Sequence, residues 1–433
     1  MAKRAKSATK TFDYLILGGG NAAGYACKEF AANSATHGKV GVISAEKVLP
    51  YERPALTKAY LHPPSAKLRA RLPGFHTCVG GGGERQTQEF YDKHGLEVIH
   101  GVATKINFAT KAVTVGEEQI AYGKLMLAVG CRPMPMSQFG VKGDTLPNVF
   151  YLRHEHEAAD LVEALEKLEG TGEVVIVGGG YIGLECAAAL RGWGLTVTMI
   201  FPESHCLPRL FNAELAKWME DEYAARGIKL LKGDSVAEFV GGHGGISSVR
   251  LKSGATLPCQ VAVVGVGATP NVEICEGLKM DKGGIAVDVN MQTSDPNVFA
   301  VGDICTFPSQ YGGTMRQEHV AHARQSAAQA AKAMMGLAPE PYNYLPYFYS
   351  RIFEYTDSPI VFNFFGEQIG ECKVCRRSTK SIAGMWVRDG KVVGALLMGS
   401  PGPSPDDAAK LKALVTSGAP AAEPSAVFDQ AGL

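Results

Sequence analysis

Gly18-Gly19-Gly20-Asn21-Ala22-Ala23 and Gly178-Gly179-Gly180-Tyr181-Ile182-Gly183 are the two glycine clusters in this 433-residue chain whose spacing suits phosphate chemistry. Each follows an apolar run, Leu15-Ile16-Leu17 or Val174-Val175-Ile176-Val177, and each precedes an alanine-rich helical pattern. At a strand-to-helix turn the first glycine permits the tight bend and the second lets the backbone approach a pyrophosphate. The third position, Ala23 or Gly183, keeps helix and strand close, and the helix N-terminus faces the diphosphate. A single such turn is a weak signal. Two predict two dinucleotides held by one chain, with electrons passing between them.

The elements that must position these turns read as a duplication. Strands are predicted at Thr11–Leu17, Val40–Ser44, Glu97–Val102, Ala112–Val115 and Lys124–Val129, with a helix over Ala22–Ala32. The second unit repeats the plan with a helix His156–Leu168, a strand Glu173–Val177, a helix Leu184–Trp193 and strands Thr196–Phe201 and Val261–Gly265. Its closing Gly267-Ala268-Thr269-Pro270-Asn271 echoes Val129-Gly130-Cys131-Arg132-Pro133. One ancestral dinucleotide-binding unit used twice accounts for this. A later apolar strand ends in Gly302-Asp303 and returns to the first unit, and the aromatic region from Tyr342 resembles neither repeat. The expected fold is α/β, with two Rossmann-like dinucleotide-binding domains plus a C-terminal α+β domain. The expected bounds are 11–140 and 276–337 for the first domain, 141–275 for the second and 338–416 for the third. Residues 417–433, rich in Ala, Pro and Ser, are expected to be a disordered tail.

Composition narrows the function classes. Forty-three basic residues balance 43 acidic ones, so no net field draws the chain to nucleic acid or an anionic membrane. No apolar run reaches the roughly 20 residues of a membrane span. Met1–Lys10 is basic but has no apolar core like a secretory signal, and reads as a solvated tail. The C-terminal Ala-Gly-Leu differs from a peroxisomal Ser-Lys-Leu address. A cytoplasmic location is the default, with an organelle the alternative. Ten scattered cysteines suggest a reducing compartment. The close pair Cys372 and Cys375 lacks a second pair for zinc and reads as core and edge residues, so no metal site is expected.

With Thr293 through Asp303 beside the first glycine turn, the chain resembles the two-dinucleotide flavoprotein reductases, which hold FAD at the first fingerprint and NAD(P)H at the second. The loop Pro50-Tyr51-Glu52-Arg53-Pro54-Ala55-Leu56-Thr57-Lys58 then separates branches. The disulfide reductases carry a Cys-x-x-x-x-Cys pair in this region, whereas here no cysteine lies between Cys27 and Cys78, so electrons must leave the flavin directly. Pro73-Gly74-Phe75-His76-Thr77-Cys78-Val79-Gly80, Met199 to Glu203, Glu318-His319-Val320 and Tyr344 to Arg351 resemble the monodehydroascorbate reductase family more particularly. That resemblance implies NADH as donor, hydride transfer to FAD and two one-electron transfers to monodehydroascorbate radicals, giving ascorbate. A flavin suits this, since it accepts a hydride yet releases single electrons. No obligate protein partner is expected.

Residue by residue, the resemblance implies that Arg324 binds the anionic substrate and Tyr349 packs beside it; a helix-surface cation and a core aromatic are the bland alternatives. A guanidinium offers an anion both charge and a planar fork. Asp303 would accept from the ribityl hydroxyls, and an N-cap role is compatible with that. Arg53 and Lys58 would neutralise the pyrophosphate near the flavin, unless they are solvated loop cations. Glu46 falls where a ribose-binding carboxylate belongs, and Glu203 is its counterpart in the second unit; an acid there favours NADH over NADPH. Arg209, nearby, would still offer a 2′-phosphate some charge. Glu318, His319 and the Val320 backbone would lie between flavin and nicotinamide, with a helix cap the alternative. Glu185 would reach the nicotinamide amide or be an exposed helix acid. Leu184 and Gly267 complete the NAD site, and Arg153 and Ala103 lie toward FAD. Asn21 departs from the Val common in the family, and is small enough to admit a pyrophosphate. Two other readings remain: a ferredoxin- or rubredoxin-reductase-like component needing an electrostatic docking face, and an NADH-sensing flavoprotein of the apoptosis-inducing-factor type.

Overall fold

The computed structural model describes residues 10–66 and 85–433. The basic N-terminus and the Pro73–Gly80 motif lie outside the described residues. Two compact units share the chain.

The first unit takes its described residues from Met1–Arg53, Leu72–Arg132 and Thr269–Tyr344. Val40–Ser44 is buried at every position, the signature of a parallel strand covered on both faces. It pairs in parallel with Lys10–Leu17, which pairs in parallel with Glu118–Leu127 on its other side. Leu96–His100 extends this sheet beyond Val40–Ser44, and Val298–Ala300 joins it in parallel against Glu118–Leu127. The strands Ala103–Asn107 and Ala112–Val115 complete a seven-stranded sheet in antiparallel fashion. The helices Asn21–Ala31 and Val320–Met334 pack together through small residues, Ala23, Ala26, Ala327 and Ala330 all being fully buried.

The second unit takes its described residues from Pro54–Arg71, Pro133–Ala268 and Leu345–Leu433. Its first sheet is parallel throughout, in the order Lys229–Lys232, Thr196–Phe201, Glu173–Val177, Val261–Val264, Val149–Tyr151. A five-stranded antiparallel sheet follows, built from Tyr347–Ile352, Ile360–Gly366, Lys391–Gly399, Ser381–Arg388 and Glu371–Ser378. Cys372 and Cys375 both sit on Glu371–Ser378, where an odd separation turns them to opposite faces.

The duplication extends to hydrogen bonds. Gly18 N–H donates to Ile43 O at 2.8 Å and Gly178 N–H to Ile200 O at 2.8 Å. Ala128 N–H donates to Leu17 O, and Gly265 N–H to Val177 O, again at 2.8 Å.

Three boundaries differ from expectation. Pro54–Ala66 belongs to the second unit, because Trp193 Nε1 donates to Leu61 O at 2.6 Å and Tyr60 donates to Glu155 at 2.6 Å. The segment before the antiparallel sheet stays with the first unit as far as Tyr344, which is buried and accepts at its carbonyl from Gln310. The tail is ordered: Pro420 bridges to Lys391, and Pro424–Gln430 is a helix whose Val427 and Phe428 enter the core. Two apolar anchors within an Ala/Pro/Ser-rich stretch are enough to fold it, and composition averages them away.

Candidate active site

The first glycine turn leaves no room for side chains. Gly18 has φ +132°, and a Cβ there would sit 2.2 Å from Ala128 O. A Cβ at Gly19 would meet Ser44 Oγ at 2.1 Å. Gly20 caps the helix Asn21–Ala31 in an extended conformation without a side-chain cap, and the first turn carries no acid. Its N–H groups are therefore a ready anion cradle, and Ala22 behind it is buried. Arg53 lies across the turn, its Nε 3.2 Å from where a Gly20 Cβ would be. Its guanidinium binds Glu46 Oε1 at 2.5 Å and Tyr51 Oη at 2.9 Å, while Tyr51 donates to Glu46 Oε2 at 2.7 Å. Asn21 Oδ1 accepts from Arg53 N–H at 3.2 Å. Glu46 and Arg53, expected in separate roles, thus form one ion pair beside the cradle.

Asp303 follows Gly302, whose φ is +68°, in a short turn over Gly302–Ile304. A closed hydrogen-bond circuit holds that turn. Tyr342 Oη lies 2.9 Å from His322 Nδ1, and His322 Nε2 lies 3.3 Å from Cys305 Sγ. Cys305 donates to Gly302 O at 3.3 Å, Gly302 N–H donates to Ser326 Oγ at 3.0 Å, and Ser326 donates to His322 O at 2.7 Å. Every donor is satisfied when Nε2 carries the imidazole proton. Burial pulls His322 down to about 3, so it stays neutral at physiological pH. Arg316 donates to Asp303 O at 3.0 Å and Glu318 Oε1 at 2.5 Å. His319 caps the helix Val320–Met334 by accepting from Ala321 N–H at 3.2 Å, and Val320 opens that helix.

Arg324, on the same helix, binds Glu52 at 2.7 Å and lies 5.1 Å from the centre of the Tyr25 ring. It is more than a surface cation. Ala103 is half-buried at the head of its strand.

In the second unit Gly178 has φ +117°, and its Cβ would meet Gly265 O at 2.3 Å. A Cβ at Gly183 would sit 2.0 Å from Gly178 O, and one at Gly179 would strike the Phe201 ring at 2.8 Å. Gly180 caps the helix Tyr181–Arg191 without a side-chain bond. Ile182 is exposed beside the turn, whereas the Tyr181 and Leu184 side chains point inward, Leu184 being buried in the core. Leu184 thus offers a ligand no side chain. Glu203 and Arg209 are exposed just past the strand Thr196–Phe201, and Gly267 has φ +129°. Arg153 donates its backbone N–H to Glu157 at 2.7 Å.

Glu185 and Lys58 form a pair that the sequence did not announce. Glu185 is buried, which overturns the exposed-acid reading, and Lys58 binds it at 2.7 Å. Ser350 donates to the same carboxylate at 2.7 Å, as does Thr57. Lys58, expected at the pyrophosphate near the flavin, pairs with this acid, and both belong to the second unit. Tyr349 is exposed on Tyr347–Ile352, not a core residue, and partial burial holds its phenol in the protonated form. Arg324 belongs to the first unit and Tyr349 to the second. Sequence reasoning missed Glu52, Tyr25, Thr57, Ser350 and Arg316; the one local signal was Tyr51-Glu52-Arg53, three polar residues between Pro50 and Pro54.

The residues present fit two dinucleotides: two cradles that a Cβ would fill, two uncapped helix N-termini and a cation across the first. A description of the pyridine nucleotide-disulphide oxidoreductases matches residues 12–330, and one of a monodehydroascorbate reductase 3-like C-terminal domain matches 345–433. The chain is 44% identical to a peroxisomal monodehydroascorbate reductase of Arabidopsis thaliana over 96% of each chain. It is likewise 44% identical to a monodehydroascorbate reductase of Solanum lycopersicum, covering 91% of this chain and 92% of that one. The chain belongs to the monodehydroascorbate reductase family. Among solved structures, putidaredoxin reductase in its covalent complex with putidaredoxin superposes with a TM-score of 0.80 at 25% identity, covering 98% of this chain and 97% of that one. A ferredoxin reductase from Rhodopseudomonas palustris gives 0.76 at 29% identity over 89% and 91%. The family carries FAD-dependent reductase chemistry, and no helix among the described residues is long and apolar enough to cross a membrane.

Proposed function

We propose that this chain oxidises NADH and reduces monodehydroascorbate radicals to ascorbate, one electron to each of two radicals. The observation that carries the reading is the near end-to-end identity with monodehydroascorbate reductases, C-terminal domain included. Bound FAD would accept a hydride from the nicotinamide and give up electrons singly.

The chain's own residues do the rest. Gly18, Gly19 and Gly20 with the helix behind them hold the FAD diphosphate, and Arg53 supplies the counter-charge. Glu46 accepts from ribose, Asp303 from the ribityl chain, and Ala103 and Arg153 bound the same cofactor. Gly178 to Gly183 hold the NADH diphosphate, Glu203 takes the adenosine ribose hydroxyls, and Gly267, Glu318, His319 and Val320 line the path to the nicotinamide. Glu185, paired with Lys58 and accepting from Thr57 and Ser350, would reach the nicotinamide amide. Arg324 binds the substrate anion, and Tyr349 offers a ring wall and a phenol donor. The reading needs no thiol relay, and burial pushes the Cys27 thiol up to about 12, so that thiol stays protonated. A cytoplasmic setting fits this chemistry.

The test is NADH consumption in the presence of radical generated from ascorbate and ascorbate oxidase. Fast, radical-dependent oxidation is expected, and Arg324→Ala should raise KM for the radical at least tenfold. If NADH bleaches the flavin and the radical fails to restore its colour, the acceptor is another molecule, a ferredoxin-like protein being the first to try.

A further inference from the structure

Arg324 is not a bare cation. Its Nη2 donates to Glu52 Oε2 at 2.7 Å, and Tyr25 donates to Glu52 Oε1 at 2.7 Å. The guanidinium also lies over the Tyr25 ring, 5.1 Å from its centre. Both side chains are largely sheltered, 30% exposed for Arg324 and 21% for Glu52. Glu52 cannot easily turn away. Pro50 and Pro54 bracket its loop, both its oxygens are engaged, and the next residue is tied by its N–H to Asn21, on the helix that carries Tyr25.

We propose that Glu52 is a specificity-determining residue, its carboxylate tuning the Arg324 site to singly charged acids and against doubly charged ones. The inference rests on the reading of Arg324 as the substrate-anion ligand. An anion meeting the guanidinium fork also feels the fixed negative charge behind it. That repulsion scales with the ligand's own charge, so a dianion suffers it twice where a monoanion suffers it once. Ascorbate and its radical are monoanions at neutral pH, so both pass this filter, while doubly charged acids of similar shape are turned away. Such selectivity by an opposing charge is the repulsive half of recognition. A merely structural Glu52 would behave differently: loosening the guanidinium would weaken both ligands, the doubly charged one more, and move the ratio away from the dianion or leave it unchanged.

The experiment compares FAD-loaded parent, E52Q, E52D and R324A proteins, titrated with ascorbate and with ascorbate 2-sulfate, which carries one charge more on the same ring. In E52Q the ratio of the two dissociation constants should shift toward the 2-sulfate by roughly five- to tenfold, the effect of one charge about 8 Å away in a partly screened site. E52D, which keeps the charge, should retain the parent ratio. An unchanged ratio in E52Q overturns the proposal, as does an E52Q protein that binds the 2-sulfate no better than the parent. If E52Q does not retain flavin, Glu52→Ser carries the same expectation. The two readings fail separately. R324A that binds both probes like the parent overturns the assignment of Arg324. R324A that weakens both, with an invariant ratio in E52Q, overturns the role of Glu52 alone.

Discussion

A carboxylate directly after a phosphate-binding turn can face solvent or sink into the core, and the two fates have different consequences. Glu185 sinks, and Lys58, Thr57 and Ser350 converge on it. Removing one partner of a buried pair strands the other charge, which typically costs about 3–5 kcal/mol, whereas replacing both by apolar groups is often nearly neutral. Glu185→Leu is accordingly expected to lower stability by about 3 kcal/mol, and the double variant Lys58→Met, Glu185→Leu to recover most of it. Urea unfolding of the parent, Glu185→Leu, Lys58→Met and the double variant checks this; a double-variant loss equal to the sum of the two single losses would mean that the pair is not coupled. Glu203 presents the opposite case, an acid left exposed beyond its strand. Exchanging it for arginine replaces a repulsion of a 2′-phosphate by an attraction. The ratio of kcat/KM for NADH over NADPH should favour NADH in the parent and fall by at least tenfold in Glu203→Arg. A parent that prefers NADPH removes Glu203 from the site.

Turns and helices explain why some of this was legible and some was not. The glycine fingerprints state a local backbone requirement, and Gly18, Gly178 and Gly183 meet it through close approaches that any Cβ would block. Strands such as Val40–Ser44 and Glu173–Val177 announce themselves by unbroken apolar runs. What no local pattern reveals is which distant group a polar side chain will meet: Lys58 with Glu185, Glu52 with Arg324, Cys305 with His322. The last of these carries a pH prediction for the Gly302–Ile304 turn. His322 falls from its ordinary value to about 3 because burial penalises its charged form. An unfolded chain therefore binds a proton near pH 6.5 that the native chain refuses until about pH 3. Unfolding takes up that proton, so this group's contribution to stability rises with pH across that window and is lost on acidification. Between pH 7 and pH 5 the loss is about 2 kcal/mol. His322→Gln, which does not titrate, should remove that part of the slope in urea melts at the two pH values. A variant as acid-sensitive as the parent would place the acid lability elsewhere.

At the scale of the whole molecule, zero net charge and an alanine-rich composition say nothing about which segments are needed for folding. The expected domain ends drifted because composition marks a change of texture, while folding units end where contacts end. The segment Pro54–Ala66 reads like a continuation of the first domain, yet its hydrogen bonds lie in the second unit. The C-terminal seventeen residues make the same point more sharply, since Phe428 is fully buried and Val427 nearly so. They pack with Leu411, Val415, Ala383 and Met385, joining the last helix to the antiparallel sheet and the helix before it. Arg377 secures the end by binding Asp429 at 2.5 Å and the carbonyl of Leu433. A disordered tail would be removable at no cost. An anchored one is not, and truncating a buried phenylalanine to alanine costs about 3–5 kcal/mol. Phe428→Ala should therefore destabilise the C-terminal sheet by about that amount, and deletion of residues 417–433 by at least as much. Arg377→Ala, which removes a largely buried guanidinium from Asp429, Leu433 and the Phe428 ring, should cost less, about 1–3 kcal/mol. The decisive readout is hydrogen exchange along Glu371–Ser378 and Lys391–Gly399. If those amides stay as protected in the deletion as in the parent, the tail is a passenger and its burial is without energetic consequence; if they exchange early while Glu173–Val177 stays protected, the last helix is part of the fold that carries Tyr349.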